Sequence, residues 1–141
     1  DDQSNPFYGL QPSPYHYMGR PLGKGGFSVN CVLQKARAAS VELYVDNGQD
    51  GGVNKETALA LWKVVEGPLR KAFPNADIEC DTGVDRGKRM SRISVVPRGM
   101  DECGYASAPD NRQKMAAWLA TASGTFYGIV KPAVASFGKR S

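Results

Sequence analysis

The chain has one histidine and three cysteines among its 141 residues, and none of them stands at a spacing typical of a metal site. The histidine, His16, lies between two tyrosines, where packing and hydrogen bonding are its commoner roles. Catalytic triads need a histidine beside a nucleophile, and zinc sites need three or four soft ligands. The cysteines, Cys31, Cys80 and Cys103, form no C-x-x-C pair, which favours a reduced, cytoplasmic compartment and a role as core filler. We therefore expect no metal and no cofactor.

Long apolar runs are also missing. The longest run falls far short of the roughly 20 residues that a membrane-spanning helix needs. No basic-then-apolar segment opens the chain, so we predict neither a signal peptide nor a membrane partner. The first residue is Asp1 rather than methionine, and we expect the chain to be a trimmed product or a piece of a longer polypeptide. A hydrophobic share of 41% and a charged share of 23% are typical of a globular domain.

Composition divides the chain after residue 26. Residues 1–26 contain four prolines and five glycines with aromatic residues among them, which predicts an irregular N-terminal arm. Residues 27–141 are predicted to form a single α+β domain. The glycine-rich end of the arm is similar to a phosphate loop, but Gly25 stands where a Ser or Thr must hold the metal, and a strand follows. Lys24 remains a candidate for contacting a backbone phosphate.

Alternation of apolar and polar residues predicts four strands. The first two run from Phe27 to Leu33 and from Val41 to Val45, where turn-rich residues follow. The other two run from Asp77 to Asp81 and from Arg92 to Val96. The loop between the last two is basic, so we predict a hairpin with a charged tip.

Apolar residues at helical spacing predict two helices. The first follows a cap at Asn54 and is expected to kink or restart at Gly67–Pro68, because a proline removes one backbone donor. The second begins at a capping box of Asp110 and Gln113, and Lys131–Pro132 should bend or end it. 

The order of these elements predicts an α+β fold. It is a four-stranded, mostly antiparallel sheet in ββαββα order, with two helices on one face and the other face open. Gly124 and Gly128 lie on the stripe of the second helix and cost roughly 1 kcal/mol each relative to alanine, so we predict that something packs closely against the backbone there. That stripe and the open sheet face around Tyr44 are candidate interaction surfaces for a partner or a second copy of the chain.

The net charge of +4 is concentrated in one segment. Between residues 85 and 98 there are five basic residues and one acid. Basic side chains on a glycine-containing loop can reach the phosphates of a nucleic acid. The acids predicted on the sheet would repel a phosphate backbone, so contact is expected at the loop edge. The candidate nucleic-acid-binding residues are Lys24, Arg86, Lys88, Arg89 and Arg92.

Carboxylates on neighbouring strands support an enzymatic alternative. Asp77, Glu79 and Asp81 share a strand face and could join Glu42 and Asp46 in holding a divalent metal ion. No lysine follows at the place that a restriction-type nuclease requires. Exposed strand acids balanced by an adjacent arginine explain the same residues. Enzymatic activity stays open, and the noncatalytic interpretation is favoured.

Three short motifs resemble one bacterial domain family. They run from Leu10 to Tyr17, from Gly23 to Phe27 and from Val41 to Val45, and the resemblance extends to about Phe137. The family is catalogued as of unknown function, and its members often lie C-terminal to a restriction-endonuclease-like domain. The resemblance implies an accessory module in DNA-related or defence proteins, with a nuclease-like partner domain, and it brings no established catalytic residues to carry over to this chain. The polar insert at 47–53 departs from the family's tighter spacing.

Two hypotheses from different classes follow. The first is a noncatalytic accessory module that contacts nucleic acid through the basic hairpin loop. The alternative is a protein-interaction or self-association module, such as a homodimer, that binds no nucleic acid. Salt discriminates between them, because phosphate binding weakens steeply as salt rises and an apolar interface hardly responds.

Overall fold

A computed structural model describes residues 17–22, 25–32, 40–46, 51–83, 87–97 and 109–137. These residues form five strands and two helices. The strands are β1 (Tyr17–Pro21), β2 (Phe27–Val32), β3 (Ser40–Val45), β4 (Ala76–Asp81) and β5 (Ser91–Pro97). The helices are α1 (Gly51–Ala72), between β3 and β4, and α2 (Pro109–Phe137), after β5. The predicted α+β class and the ββαββα order of β2 to α2 are confirmed.

All five strands belong to one sheet of order β1-β2-β3-β5-β4, and every neighbouring pair is antiparallel. The four predicted strands are β2 to β5, and the predicted hairpin of β4 and β5 is present. The additional strand, β1, lies in the segment whose composition predicts an irregular arm. It pairs with β2 from Tyr17 opposite Val32 to Pro21 opposite Ser28. Its proline stands at the end of an edge strand, a position where the missing donor is tolerated.

The core lies between one face of the sheet and the two helices. The register aligns Val29, Leu43 and Ile93 on three adjacent strands, and all three are fully buried. Cys80 continues the row on β4 and is partly buried. Phe126 of α2 is the largest fully buried side chain among the described residues. Both helices therefore cover the same face, as predicted.

The start of α1 differs from the prediction. The helix begins at Gly51, so Asn54 is an interior residue and the predicted cap is wrong. Asn54 is buried, and its Nδ2 donates a hydrogen bond of 2.9 Å to the backbone carbonyl of Arg89. Asparagine is a common capping residue, but here the side chain of Asn54 connects α1 to the loop between β4 and β5. Tertiary contacts of this kind override the preference of a single residue for the end of a helix.

Both helices continue through a proline. Pro68 lies inside α1 and Pro132 inside α2, so neither helix restarts or ends there, while the alternative outcomes, a kink at Pro68 and a bend at Pro132, stay predictions. Each proline deprives the carbonyl four residues earlier, of Val64 and of Gly128, of its helical donor. Buried side chains on the turns before and after each proline hold the helix in place despite this loss. Neither described helix is long and apolar enough to cross a membrane.

Candidate functional site

The loop between β4 and β5 is where the sequence predicts contacts with nucleic acid. Lys24 and Arg86 lie outside the described residues. Lys88 is exposed, and its backbone N–H donates a hydrogen bond of 2.8 Å to the carbonyl of Gly83. Gly87 has a φ of 72°, a left-handed conformation that glycine adopts without strain. The loop thus presents one described lysine to solvent.

Arg89 is held by a carboxylate of the same chain. Its Nε lies 2.9 Å from Oδ1 of Asp46, and its Nη2 lies 3.0 Å from Oδ2. Two parallel hydrogen bonds of this kind are the geometry in which a guanidinium holds a carboxylate best. The contact raises the pKa of Arg89 and ties the loop to the end of β3. A phosphate would have to compete with Asp46 for this side chain.

Arg92 is also paired within the chain. It lies on the outer face of the sheet, where its Nε is 3.3 Å from Oδ2 of Asp81 and its Nη1 is 3.7 Å from Oε1 of Glu42. The hydroxyl of Ser40 donates a hydrogen bond of 3.3 Å to the same Glu42 oxygen. Arg92 therefore compensates the negative charge of two carboxylates of its own chain, although part of its side chain is exposed to solvent.

Glu42 is the buried acid of this group. Only 8% of the residue is exposed, although it lies on the face of the sheet that carries no helix. Burial raises the pKa of Glu42, Arg92 and the Ser40 hydroxyl oppose that rise, and the nearby charge of Asp81 adds to it. The carboxylate is thus stabilised by its neighbours less than water would stabilise it.

The strand acids do not assemble into a metal centre. Within the described ranges, no group of three or more His, Cys, Asp or Glu residues is placed to hold a metal ion. The guanidinium of Arg92 contacts both Glu42 and Asp81, while Glu79 stands opposite Ser94 in the register. A cation already occupies the position between the two acids, and it is the protein's own.

The sheet face around Tyr44 is less open than the topology predicts. Tyr44 is partly exposed and stands between Ser28 on β2 and Arg92 on β5. Beside it, Ser94 and Glu42 are each only 8% exposed. Side chains on adjacent strands shield one another at the centre of a sheet, so a face without helices can still bury polar groups.

A groove in the helix layer was not anticipated from the sequence. It lies between α1 and α2, has a volume of about 420 Å³ and opens to solvent. Among the described residues that line it, Ser136 has a polar side chain and none is charged. The lining residues are Ala60, Leu61, Val64, Val65, Pro68, Ile129, Pro132, Ala133, Ser136 and Phe137. We call the solvent-facing side of the two helices, with this groove at its centre, the helix face.

A sequence signal for the groove exists. Val53, Ala60, Val64 and Pro68 recur at helical spacing beside the core stripe of α1, and they form a second apolar stripe. The large hydrophobic residues that are exposed in the described structure are Val53, Leu59 and Val64, at 44%, 39% and 49%, and all lie on α1. One helix with two apolar stripes indicates a second contact besides the core.

The glycines of α2, Gly124 and Gly128, differ in exposure. Gly128 is exposed, and a Cβ built there would meet no described atom within 4 Å. No described residue packs closely against Gly128, so the close packing predicted there stays a prediction. Gly124, one turn earlier, is partly exposed. From Ala117 to Phe137, Lys131 is the only charged residue.

The two described cysteines are free thiols. Burial raises the pKa of Cys31 to about 12, against a small opposing effect of the Ser123 hydroxyl. Burial and the charge of Asp81 raise the pKa of Cys80 to about 11. Thiols with such pKa values are protonated and unreactive at neutral pH. Their position in and beside the core agrees with a filling role.

Comparison of the chain with known protein families, with curated proteins and with solved structures finds no match. We therefore infer the function from the geometry of the two outer surfaces, the sheet and the helix face.

Proposed function

We propose that this chain is a protein-association module and that its contact surface is the helix face. The groove between α1 and α2 carries the proposal, because about 420 Å³ of solvent-open space lies between the two helices and its described lining residues are uncharged. Clefts of this size with mainly apolar walls are typical binding sites in proteins. Exposed apolar patches with polar rims are typical of surfaces that contact another protein.

Val64 is the side chain that a partner would cover. It is 49% exposed on the wall of the groove, one helical turn from Ala60 and from Pro68. Full burial of a valine side chain is worth about 1.5 kcal/mol, and much of that free energy is not realised in the isolated chain. An apolar side chain inserted into the groove would cover Val64 and Ile129 together.

Site-specific photocrosslinking tests the proposal. Benzoylphenylalanine replaces Val64 in one variant and the exposed Glu79 on the sheet in a control, and both are irradiated in cells that produce the chain. We expect light-dependent adducts from position 64 and none from position 79. Equal adduct formation from the two positions, or none from either, would contradict the proposal.

Contact with nucleic acid is the second candidate function. It is favoured by the exposed Lys88 on the loop between β4 and β5 and by the net charge of +4. Arg89 and Arg92 would have to exchange their carboxylate partners for phosphates, which lowers the gain from each contact. Arg86 and Lys24 complete the predicted set.

Fluorescence anisotropy of labelled single-stranded and duplex DNA and RNA, at two salt concentrations, tests this second function. We expect salt-sensitive binding that weakens when Arg86, Lys88 and Arg89 are all reversed to Glu. Unchanged binding in that variant, or none at low salt, would exclude the basic loop as a nucleic-acid contact. The noncatalytic character, the cytoplasmic location, the restriction-associated setting and the nuclease-like partner domain stay predictions.

A further inference from the structure

We propose that the helix face is a homodimer interface in which α1 of one copy lies antiparallel to α1 of a second copy. The inference rests on the proposed function, because it names the partner of the same surface.

The order of charges along α1 supports an antiparallel arrangement. Glu56, Ala60, Val64, Gly67 and Lys71 recur three or four residues apart, so they lie on one side of the helix. All five are exposed. Glu56 and Lys71 are fifteen residues apart, or about 22 Å along the helix axis, too far to pair within one chain. In an antiparallel pair of α1 helices, each Glu56 lies opposite the Lys71 of the other copy.

The same alignment places small residues opposite each other. With Glu56 opposite Lys71, Ala60 falls opposite Gly67 and Val64 opposite Lys63. A Cβ at Gly67 would meet no described atom within 4 Å, so the backbone there is open to close approach. The aliphatic part of Lys63 can pack on Val64 while its ammonium group stays in water.

The second helix favours a second copy over a strongly charged partner. Between Ala117 and Phe137, α2 offers a single charge, and the ammonium of Lys131 lies 5.3 Å from the ring centroid of Tyr127. A charged partner surface laid on α2 would lose water without gaining compensation. A second copy presents an equally uncharged α2, while α1 supplies both signs of charge. The helix face is thus complementary to itself under a two-fold rotation.

The helix dipole is a competing explanation for the order of charges. Acids near the start of a helix and bases near its end are favoured within a single chain. That effect predicts independent contributions of Glu56 and Lys71 and no change in association. The dimer predicts that the two residues are coupled across the interface.

Sedimentation equilibrium of the full chain over a wide range of concentration tests the dimer. We expect the wild type to show a monomer–dimer equilibrium. Glu56→Lys and Lys71→Glu should each raise the dissociation constant about tenfold, because each change replaces two attractive pairs by two repulsive ones. The double variant restores the opposite charges and should return close to the wild-type value. Glu79→Lys, the same charge change on the sheet side, should have no effect.

A wild type that stays monomeric at every concentration would overturn the proposal. Independent effects of the two charge reversals would overturn it as well, since the arrangement requires coupling. Val64→Asp supplies a second variant, which should abolish the dimer while its circular dichroism spectrum stays unchanged and its melting temperature equals that of the wild type at concentrations where the wild type is monomeric. A monomeric wild type whose adducts from position 64 contain only other proteins would keep the proposed function and exclude the homodimer. Absence of adducts to any protein would exclude both.

Discussion

The two outer surfaces of this fold, the sheet and the helix face, differ in how their charged side chains are placed and paired. On the sheet, Arg92 lies between Asp81 and Glu42, and Arg89 holds Asp46 through two hydrogen bonds. On the helix face, the described lining residues of the groove carry no charge, and one of them, Val64, is 49% exposed. On the sheet surface, the arginines pair with carboxylates of the same chain. On the helix face, apolar area stays exposed to water.

This difference distinguishes residues that stabilise the fold from residues that stay available for contact with a partner. A guanidinium that compensates a buried carboxylate contributes to the fold and has less to offer an external anion. Apolar area that the fold does not cover gains free energy when another surface covers it. The described arginines of the predicted basic site therefore pair within the chain, and the groove, whose described lining residues are uncharged, is the better candidate for a partner.

The sharpest test of this division compares two residues of α1. Leu61 is 2% exposed and Val64 is 49% exposed, although both line the groove. Leu61→Ala should lower the free energy of unfolding by about 2–5 kcal/mol, because it leaves a cavity in the core. Val64→Ala should change it by no more than about 0.5 kcal/mol. Urea denaturation measures both, and equal losses would show that Val64 belongs to the core.

A second test removes the cation of the sheet face. Arg92→Ala leaves Glu42 buried without its charged partner, which should cost about 1–3 kcal/mol of unfolding free energy at neutral pH. Partial exposure of Arg92 places the expected loss toward the lower end of that range. Glu79→Ala, an exposed change on β4, should stay within about 0.5 kcal/mol. A loss no larger than this control would mean that the pair is not needed by the fold.

Glu42, the buried acid beside Arg92, predicts that the stability of the fold depends on pH. Burial raises the pKa of Glu42 above its ordinary value of 4.5, so the folded state binds this proton more tightly than the unfolded state does. The wild type should therefore gain stability relative to Glu42→Gln as the pH falls from neutral toward that value. At neutral pH the glutamine variant should melt at the higher temperature. A difference in melting temperature that stays constant with pH, or has the opposite sign, would contradict the assignment.

The smallest expected effect is on the loop between β4 and β5. Lys88→Glu should leave the unfolding free energy within about 0.5 kcal/mol of the wild type, because the side chain is exposed. Arg89→Glu should lower the melting temperature more, since it replaces the contact with Asp46 by a repulsion. Thermal unfolding of the two variants at low salt checks the order. A reversed order would imply that Lys88 contributes to the fold more than its exposure indicates.

Much of the fold could be predicted because its signals are local. Val29 and Cys31 alternate with Ser28 and Asn30, and this period of two places β2 correctly. The start of α1 could not be predicted in the same way. Asn54 has the side chain of a cap, but its partner is the carbonyl of Arg89, thirty-five residues away. The strand β1 was missed because its pairing partner, and not its own composition, makes it a strand.

The candidate surface was less predictable than the fold. The basic residues of the loop are evident in the sequence, and the balance of Arg92 by acids of the adjacent strand is predicted from it, but the pairing of Arg89 with Asp46 is not. The second apolar stripe of α1, at Ala60, Val64 and Pro68, is visible once core and surface have been separated. Until then these residues are indistinguishable from the core stripe, because both stripes follow the same helical period.

The sequence by itself determined the α+β class, the ββαββα order and the residues of the core face. These properties follow from alternation and helical spacing, which depend on residues a few positions apart. Only the tertiary structure decided the partner of Arg89 and which apolar residues stay uncovered. Arg89 meets Asp46 across forty-three residues, and the groove joins Val64 to Ile129 of another helix. Such contacts depend on how the elements pack against one another, and no local pattern encodes them.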